Sequence, residues 1–412
     1  MLARVRCLPA SLWLLVLAGV AIRLVLAFAF FGNGDLRVFE GFEQHFEREG
    51  LRAYGFNVEG SLLLWPYPPG YLAWLVAAAG LADVSGAPFH GVVQLAPIAA
   101  DVGIALAIYL YLGSRGASDR MRLAGAALVL LGPVFIAISG YHGQFDAVAI
   151  LPGVVALIVW ERAREGSRAI GAGALLGLGA AVKTVPALLA LALVPSARTR
   201  REWVVTLAAT ACVPLLVVAP FYIAEPAAVR EALGFQGQVA SRGGLSLLAD
   251  PGHAIDVVGG GRAFFERPNA VAEWLVDNSA LILGVGLLAL TVFLLRRRPA
   301  AVDAAVLVWL TVYVVAPSFL LQYLVWGLPF FIMAGYLRQV AVLQLVLVPA
   351  LLITYVGPLD DPDPLRVLYV VEMAGLWVAF ALALVWLLRR PGRRGRVEGD
   401  QPPLVDLAER SV

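Results

Sequence analysis

The chain has 412 residues, 60% of them hydrophobic and 15% charged, with a formal net charge of +2. That composition excludes a soluble globular domain, which is nearer half apolar and a quarter charged, and apolar runs recurring from end to end exclude a soluble domain on one anchor. No tail or motif of the kind that binds nucleic acid is present, and the two cysteines, Cys7 and Cys212, suggest neither a disulfide framework nor a metal site.

In chain order, a short basic N-terminus is followed by an apolar run, 9–31, long enough to span a bilayer. It lacks a small-x-small cleavage site, so a retained first helix is expected rather than a removed signal. The segment 32–64 follows, with an amphipathic stretch over 36–51 that reads as a helix lying on the membrane surface. Further spans are expected at 89–112, 122–140, 146–160, 169–183, 184–197, 202–223, 274–295, 303–320, 321–336, 340–357 and 366–388. With the first run this makes about twelve, several shorter than the roughly 20 residues a straight crossing needs.

Arginine clusters set the orientation. Arg115, Arg120 and Arg122 share one short loop; Arg162, Arg164 and Arg168, then Arg198, Arg200 and Arg201, then Arg296, Arg297 and Arg298 mark others; Arg389, Arg390, Arg393, Arg394 and Arg396 lie near the C-terminus. The positive-inside rule puts all of these, and both termini, in the cytoplasm. The loops at 141–146 and 357–364 carry no Arg or Lys and are expected to face the other side. Counting 65–81 as a span would invert this parity, so Tyr67-Pro68-Pro69-Gly70 reads as the start of a juxtamembrane or re-entrant helix on the outer side. Proline suits a helix start because its missing N–H has no partner there anyway. A second long outer segment runs over 224–273, with a Gly259-Gly260-Gly261 tip. Two modules are expected, 1–200 and 201–412, the second carrying that loop.

Several residues invite chemistry. Asp35, just beyond the first span, is placed either as a general base at the membrane interface or as the N-cap of the amphipathic helix. Glu40 and Glu43 are rival carboxylates, most simply the solvated face of that helix. His142-Gly143-Gln144-Phe145-Asp146 is a polar turn between apolar helices, either lining a cavity or with Asp146 capping the next helix. Lys183 is the only lysine in the chain and lies inside an apolar stretch. Burying its charge costs several kcal/mol by most scales, so it either meets an anion such as a lipid phosphate or snorkels to the interface. Arg23, within the first span, needs an ion-pair partner or a wet cavity. Arg242 is a loop arginine that matters only if the loop folds over the membrane face. Gln322, Tyr323 and Trp326 either belong to an interfacial aromatic belt or wall a sugar pocket. No phosphate-binding Gly-rich loop and no His/Cys metal spacing occurs, so neither a nucleotide nor a metal cofactor is expected.

Taken in order, these pieces resemble the integral-membrane glycosyltransferases of the GT-C type, and most the bacterial polyprenol-phosphate-mannose-dependent mannosyltransferases of glycosyltransferase family 87. The likeness rests on Asp35 in the first outer loop, Tyr-Pro-Pro at 67–69, Gly-Gln-x-Asp at 143–146, the Gly-rich helix leading to Lys-x-x-Pro at 183–186, and Gln-Tyr-Leu-x-Trp-x-x-Pro at 322–329. Phe39 stands where many relatives have a tyrosine. The resemblance implies an all-α, polytopic transmembrane bundle in the cell inner membrane with its site on the extracytoplasmic side. It implies an inverting, metal-independent hexosyl transfer from a polyprenyl-phosphate-linked sugar, mannose by default, to a lipid, glycan or protein hydroxyl. Asp35 would be the catalytic base, Lys183 and Arg242 would bind the donor phosphate, and Tyr67, Pro68, His142, Gln144, Asp146, Gln322, Tyr323 and Trp326 would line the pocket. A transporter or flippase of a lipid-linked solute, a glycan ligase and a membrane scaffold are the competing expectations.

Overall fold

The computed structural model describes residues 8–56, 65–163, 167–234, 242–258, 267–355 and 364–390. Every regular element among them is helical. In a bilayer a helix satisfies its backbone polar groups within one segment, and this Leu-, Ala- and Val-rich chain carries no conflicting pattern. Caps sit where the sequence offers them. Ser118 Oγ accepts from Met121 N at 3.4 Å, and Thr199 Oγ1 accepts from Glu202 N at 3.1 Å.

Six helices are long and apolar enough to cross a membrane: Ala10–Ala29, Phe89–Ser114, Asp119–His142, Arg200–Ala224, Ser279–Arg297 and Pro364–Arg389. The pair Leu337–Val346 and Val348–Tyr355, bent by 45°, makes a seventh if it is one span. The protein is a multi-pass membrane protein. The twelve expected segments all fall on helices, but the other five lie on Asp146–Arg162, Ser167–Val182, Val185–Ser196, Ala301–Val315 and Leu321–Met333, none as long as a straight crossing. Helix length therefore does not carry a count of twelve. The reason is position. All ten residues of Leu324–Met333 are buried, as are most of Ala301–Val315. By contrast, only 11–28% of the spanning window is buried in Ala10–Ala29, Arg200–Ala224, Ser279–Arg297 and Pro364–Arg389, so these form the apolar outer shell.

The Gly-rich helix Ser167–Val182 packs closely on Arg200–Ala224. A Cβ on Gly173 would stand 2.6 Å from Thr206 O, and one on Gly177 would stand 2.9 Å from Thr210 O. Small residues four apart let the two backbones touch, which favours association where water supplies no hydrophobic drive.

A second core lies beside the bundle. The amphipathic stretch forms the helix Asp35–Glu49, continued by a 3-10 segment, Gly50–Phe56. Tyr67-Pro68-Pro69-Gly70 leads through the 3-10 turn Pro69–Tyr71 into the 14-residue helix Leu72–Ser85, shorter than the roughly 20 residues of a straight crossing. Phe39, Phe42, Tyr54, Trp65, Tyr71, Phe145 and Phe221 fill the space between these pieces and the bundle. Phe42 stacks on Trp65 at 4.5 Å, and Tyr71 on Phe145 at 4.2 Å. Glu43 is buried with them, against the expectation of a solvated face. Its spacing from Leu36 and Phe39 puts it on the same helical stripe, whereas Glu40 is only partly buried. The glycines of the expected 259–261 tip and both chain termini lie outside the described residues.

Candidate active site

Asp35 is the first residue of its helix, not its cap. The capping position is Gly34, and no side chain caps there. The carboxylate turns instead to the polar turn at 142–146. In the tautomer with its proton on Nε2, His142 donates to Asp35 Oδ2 at 3.0 Å, and Gln144 Nε2 donates to the same oxygen. Both bonds end on Oδ2 and leave Oδ1 to other partners. The Asp35 side chain is 40% exposed, so such a partner can arrive from outside. Desolvation pushes this carboxyl up, but the hydrogen bond and charge of His142, the Gln144 amide and the field of Lys183 outweigh it and hold the group below the usual carboxylate range.

The polar turn is built by a change of helical pitch. Asp119–His142 ends in a π-helical turn, Ile136–His142, a wider coil that shifts the register of the side chains after it. Gly143 follows with φ +80°, a left-handed conformation open to glycine. A Cβ there would also stand 3.1 Å from Leu36 Cγ. Gly143 N and Gln144 N both donate to Ile138 O, at 3.0 and 3.1 Å, which closes the turn and directs His142 and Gln144 to the start of the Asp35–Glu49 helix.

Asp146 opens the next helix, Asp146–Arg162, where the positive end of the helix dipole favours an anion. Lys183 comes just past the C-terminal end of Ser167–Val182, where a cation is favoured, and its amide donates to Gly179 O at 2.9 Å. The two meet. Lys183 Nζ donates to Asp146 Oδ1 at 2.6 Å, with the side chains 7% and 0% exposed. Trp326 Nε1 donates to that same oxygen. The ammonium also lies over three rings, 5.0 Å from the centroid of Tyr67, 5.6 Å from Phe145 and 5.5 Å from Trp326. Lys183 is therefore neither snorkelling nor waiting for a counterion; Asp146 is its counterion. The cage also corrects the belt reading. Trp326 is buried, and Tyr323 stacks on it at 4.0 Å.

These two clusters adjoin. Tyr67 feels the charges of Asp35 and Asp146, and its ring lies 5.0 Å from that of Phe145. Its carbonyl is held by the Tyr54 hydroxyl at 2.7 Å, and the next residue, Pro68, is buried. Burial and the two carboxylates raise the Tyr67 phenol well above its ordinary range. Gln322 is buried in the 3-10 turn Leu321–Tyr323 that leads to the Trp326 helix.

Arg242 is half-buried rather than a solvated loop residue. Tyr369 Oη donates to its carbonyl at 2.7 Å. The following residues are pinned along 316–319, with Phe319 N donating to Gly243 O at 3.2 Å and Ser246 N to Pro317 O at 2.9 Å. Arg242 acts electrostatically on Tyr355, as do Asp35 and Asp146. Tyr355 packs its ring 4.8 Å from His142. Tyr355 and Phe145 are the members of the cluster that the sequence did not single out. Nothing about a tyrosine at the end of an apolar helix marks it, whereas Phe145, inside the polar turn, could have been found there.

A model of glycosyltransferase family 87 matches residues 65–318. Among solved structures, the chain is similar to the Archaeoglobus fulgidus oligosaccharyltransferase. It is 13% identical to the form tethered with an acceptor peptide, at TM-score 0.40, covering 94% of this chain and 56% of that one. Against the same enzyme in complex with zinc and sulfate the identity is 16% and the TM-score 0.41, covering 93% and 54%. The chain thus spans about half the length of these structures. No curated protein matches it significantly.

Proposed function

This chain belongs to glycosyltransferase family 87, and from that premise we propose that it is a membrane glycosyltransferase of GT-C type using a polyprenyl-phosphate-linked sugar, mannose by default, as donor. Transfer takes place on the extracytoplasmic side of the inner membrane, with the Arg-rich loops in the cytoplasm, and inverts the anomeric centre. The observation that carries the reading is the convergence of an oriented, partly exposed carboxylate, Asp35, with a buried cationic site, Lys183, from distant parts of the chain.

In this reading an acceptor hydroxyl reaches Asp35 Oδ1 while His142 and Gln144 hold Oδ2. The acceptor oxygen bonds to the anomeric carbon as the bond from that carbon to the phosphate oxygen breaks. The proton passes to Asp35, and the lipid phosphate leaves with the bonding pair. That leaving group is already anionic, so it needs positive potential rather than an acid. Arg242 supplies most of it, and Lys183, its charge offset by Asp146, adds its remaining N–H donors. Lys183 spends one N–H on Asp146, which fixes the direction of its charge, and Arg242 is carried on a backbone segment pinned to 316–319. Tyr67, Pro68, Gln322, Tyr323 and Trp326 form the wall between the two charges, an aromatic surface suited to the apolar face of a sugar.

The test is transfer by the purified protein in nanodiscs, with radiolabelled polyprenyl-phosphate-mannose as donor, short glycans and lipids as acceptors, and Asp35→Asn as control. Label should reach an acceptor with the wild type and not with Asp35→Asn. Transfer by Asp35→Asn at the wild-type rate would refute the assigned base, and failure of the folded protein to bind donor would favour a transporter.

A further inference from the structure

The bundle holds a second buried polar cluster, away from the reacting groups and unused by the mechanism above. Arg23, on Ala10–Ala29, and Asp101, on Phe89–Ser114, are each 1% exposed and paired at 3.1 Å. Arg23 Nε also donates to Ser139 Oγ at 3.0 Å. Its other nitrogens donate to Gly19 O at 3.0 Å, Leu130 O at 2.5 Å and Val129 O at 2.9 Å. Ser139 Oγ lies 2.6 Å from Asp101 Oδ2 and 2.7 Å from Phe135 O. The guanidinium thus ties three helices together and reaches the π-helical turn through Ser139.

The tie lies one turn from the candidate site. Ser139 directly follows Ile138, whose carbonyl takes both Gly143 N and Gln144 N. Gly140 lies against Arg23, where a Cβ would stand 2.9 Å from Arg23 Cγ and 3.0 Å from Arg23 Cα. Holding Ser139 therefore holds the Ile138 carbonyl, and with it the turn that presents His142 and Gln144. An ion pair needed only for burial would require no contact with Ser139. We propose that Arg23, Asp101 and Ser139 are positioning residues that lock the π-turn in the register at which His142 and Gln144 meet Asp35. The inference rests on the reading of Asp35 as the base.

Ser139→Ala separates this role from a structural one, because it leaves the Arg23–Asp101 pair intact and removes only the tie to the turn. Gly140→Ala is a second probe, pushing the turn away from Arg23 without deleting any polar group. Each variant is assayed with the wild type and Asp35→Asn for donor KM, kcat, the pH profile and thermal unfolding in detergent. The groups facing Asp35 are His142, Gln144, Lys183, Tyr67 and Tyr355, with Asp146 behind Lys183, and none of them is altered. Misplacement of a reacting geometry by about 1 Å can cost on the order of a hundredfold. We therefore expect kcat to fall roughly tenfold or more at unchanged donor KM, the acid limb to move to higher pH, and unfolding to stay near wild type. A wild-type kcat and pH profile for both variants overturns the inference while leaving the proposed function standing if Asp35→Asn is dead. Loss of activity only in step with thermal stability overturns it in favour of a structural pair. An active Asp35→Asn removes the premise and refutes both.

Discussion

Asp146 and Trp326 lie 180 positions apart in the chain, and the indole N–H of the second donates to the carboxylate of the first. The oxygen that takes the indole also takes the only lysine, so one buried atom joins Asp146–Arg162, the end of Ser167–Val182 and Leu324–Met333.

That arrangement makes Asp146 and Lys183 interdependent. Asp146→Ala leaves a buried ammonium without its counterion and should cost about 3–5 kcal/mol. Adding Lys183→Met removes the stranded charge and should recover a large part of that loss. Thermal unfolding of the two single variants, the double variant and the wild type closes the cycle. If the double variant is no more stable than Asp146→Ala, the pair does not carry the coupling assigned to it.

The Asp35 carboxyl is held below the usual range by donors that favour its anion. Removing one lets the proton bind more tightly. Gln144→Leu should therefore raise the pKa and move the acid limb of kcat/KM to higher pH. The variant should lose more activity near pH 5 than near pH 8. A limb that stays in place or shifts toward acid would mean that Gln144 does not act on the base.

Glu43 behaves in the opposite sense. Burial first, and then the neighbouring charges of Glu47 and Asp83, push its carboxyl up to about 7. The folded protein thus holds a proton that the unfolded chain releases near 4.5. The stability this contributes is complete below that lower value and is lost as pH rises through 7. Glu43→Gln keeps the neutral form at every pH and should stabilise the protein by about 2 kcal/mol at pH 8, with little effect at pH 4. Parallel melting curves for the two proteins across that range would show that Glu43 is not protonated in the fold.

What the sequence allowed one to read follows the range of the forces involved. Apolar periodicity is local, so every expected segment falls on a helix, the prolines at 68–69 lead into one, and the amphipathic 36–51 stretch forms the helix Asp35–Glu49 and the start of the 3-10 segment after it. Whether an apolar helix faces lipid or is clad by protein depends on its neighbours, and composition alone does not separate the enclosed Ala301–Val315 from the outer Ser279–Arg297. Asp35, His142, Gln144, Asp146, Lys183, Arg242 and Trp326 each stood out singly, but their pairing did not. Asp35 meets its partners across 107 and 109 residues, and such contacts are made by packing rather than by spacing. Glu43 was legible and misread, since its position four residues after Phe39 and seven after Leu36 already put it on their stripe.

The contrast between long exposed helices and short enclosed ones also determines what the surrounding lipid can reach. A bilayer that is too thick or too thin strains the segments that must match its hydrocarbon depth, by tilt or by local deformation. Of the six spanning helices, those most exposed are Ala10–Ala29, Arg200–Ala224, Ser279–Arg297 and Pro364–Arg389, while Leu324–Met333, which delivers Trp326, is buried along its whole length. A shell of this kind is expected to take up most of the mismatch, so activity should depend little on the acyl-chain length of the bilayer.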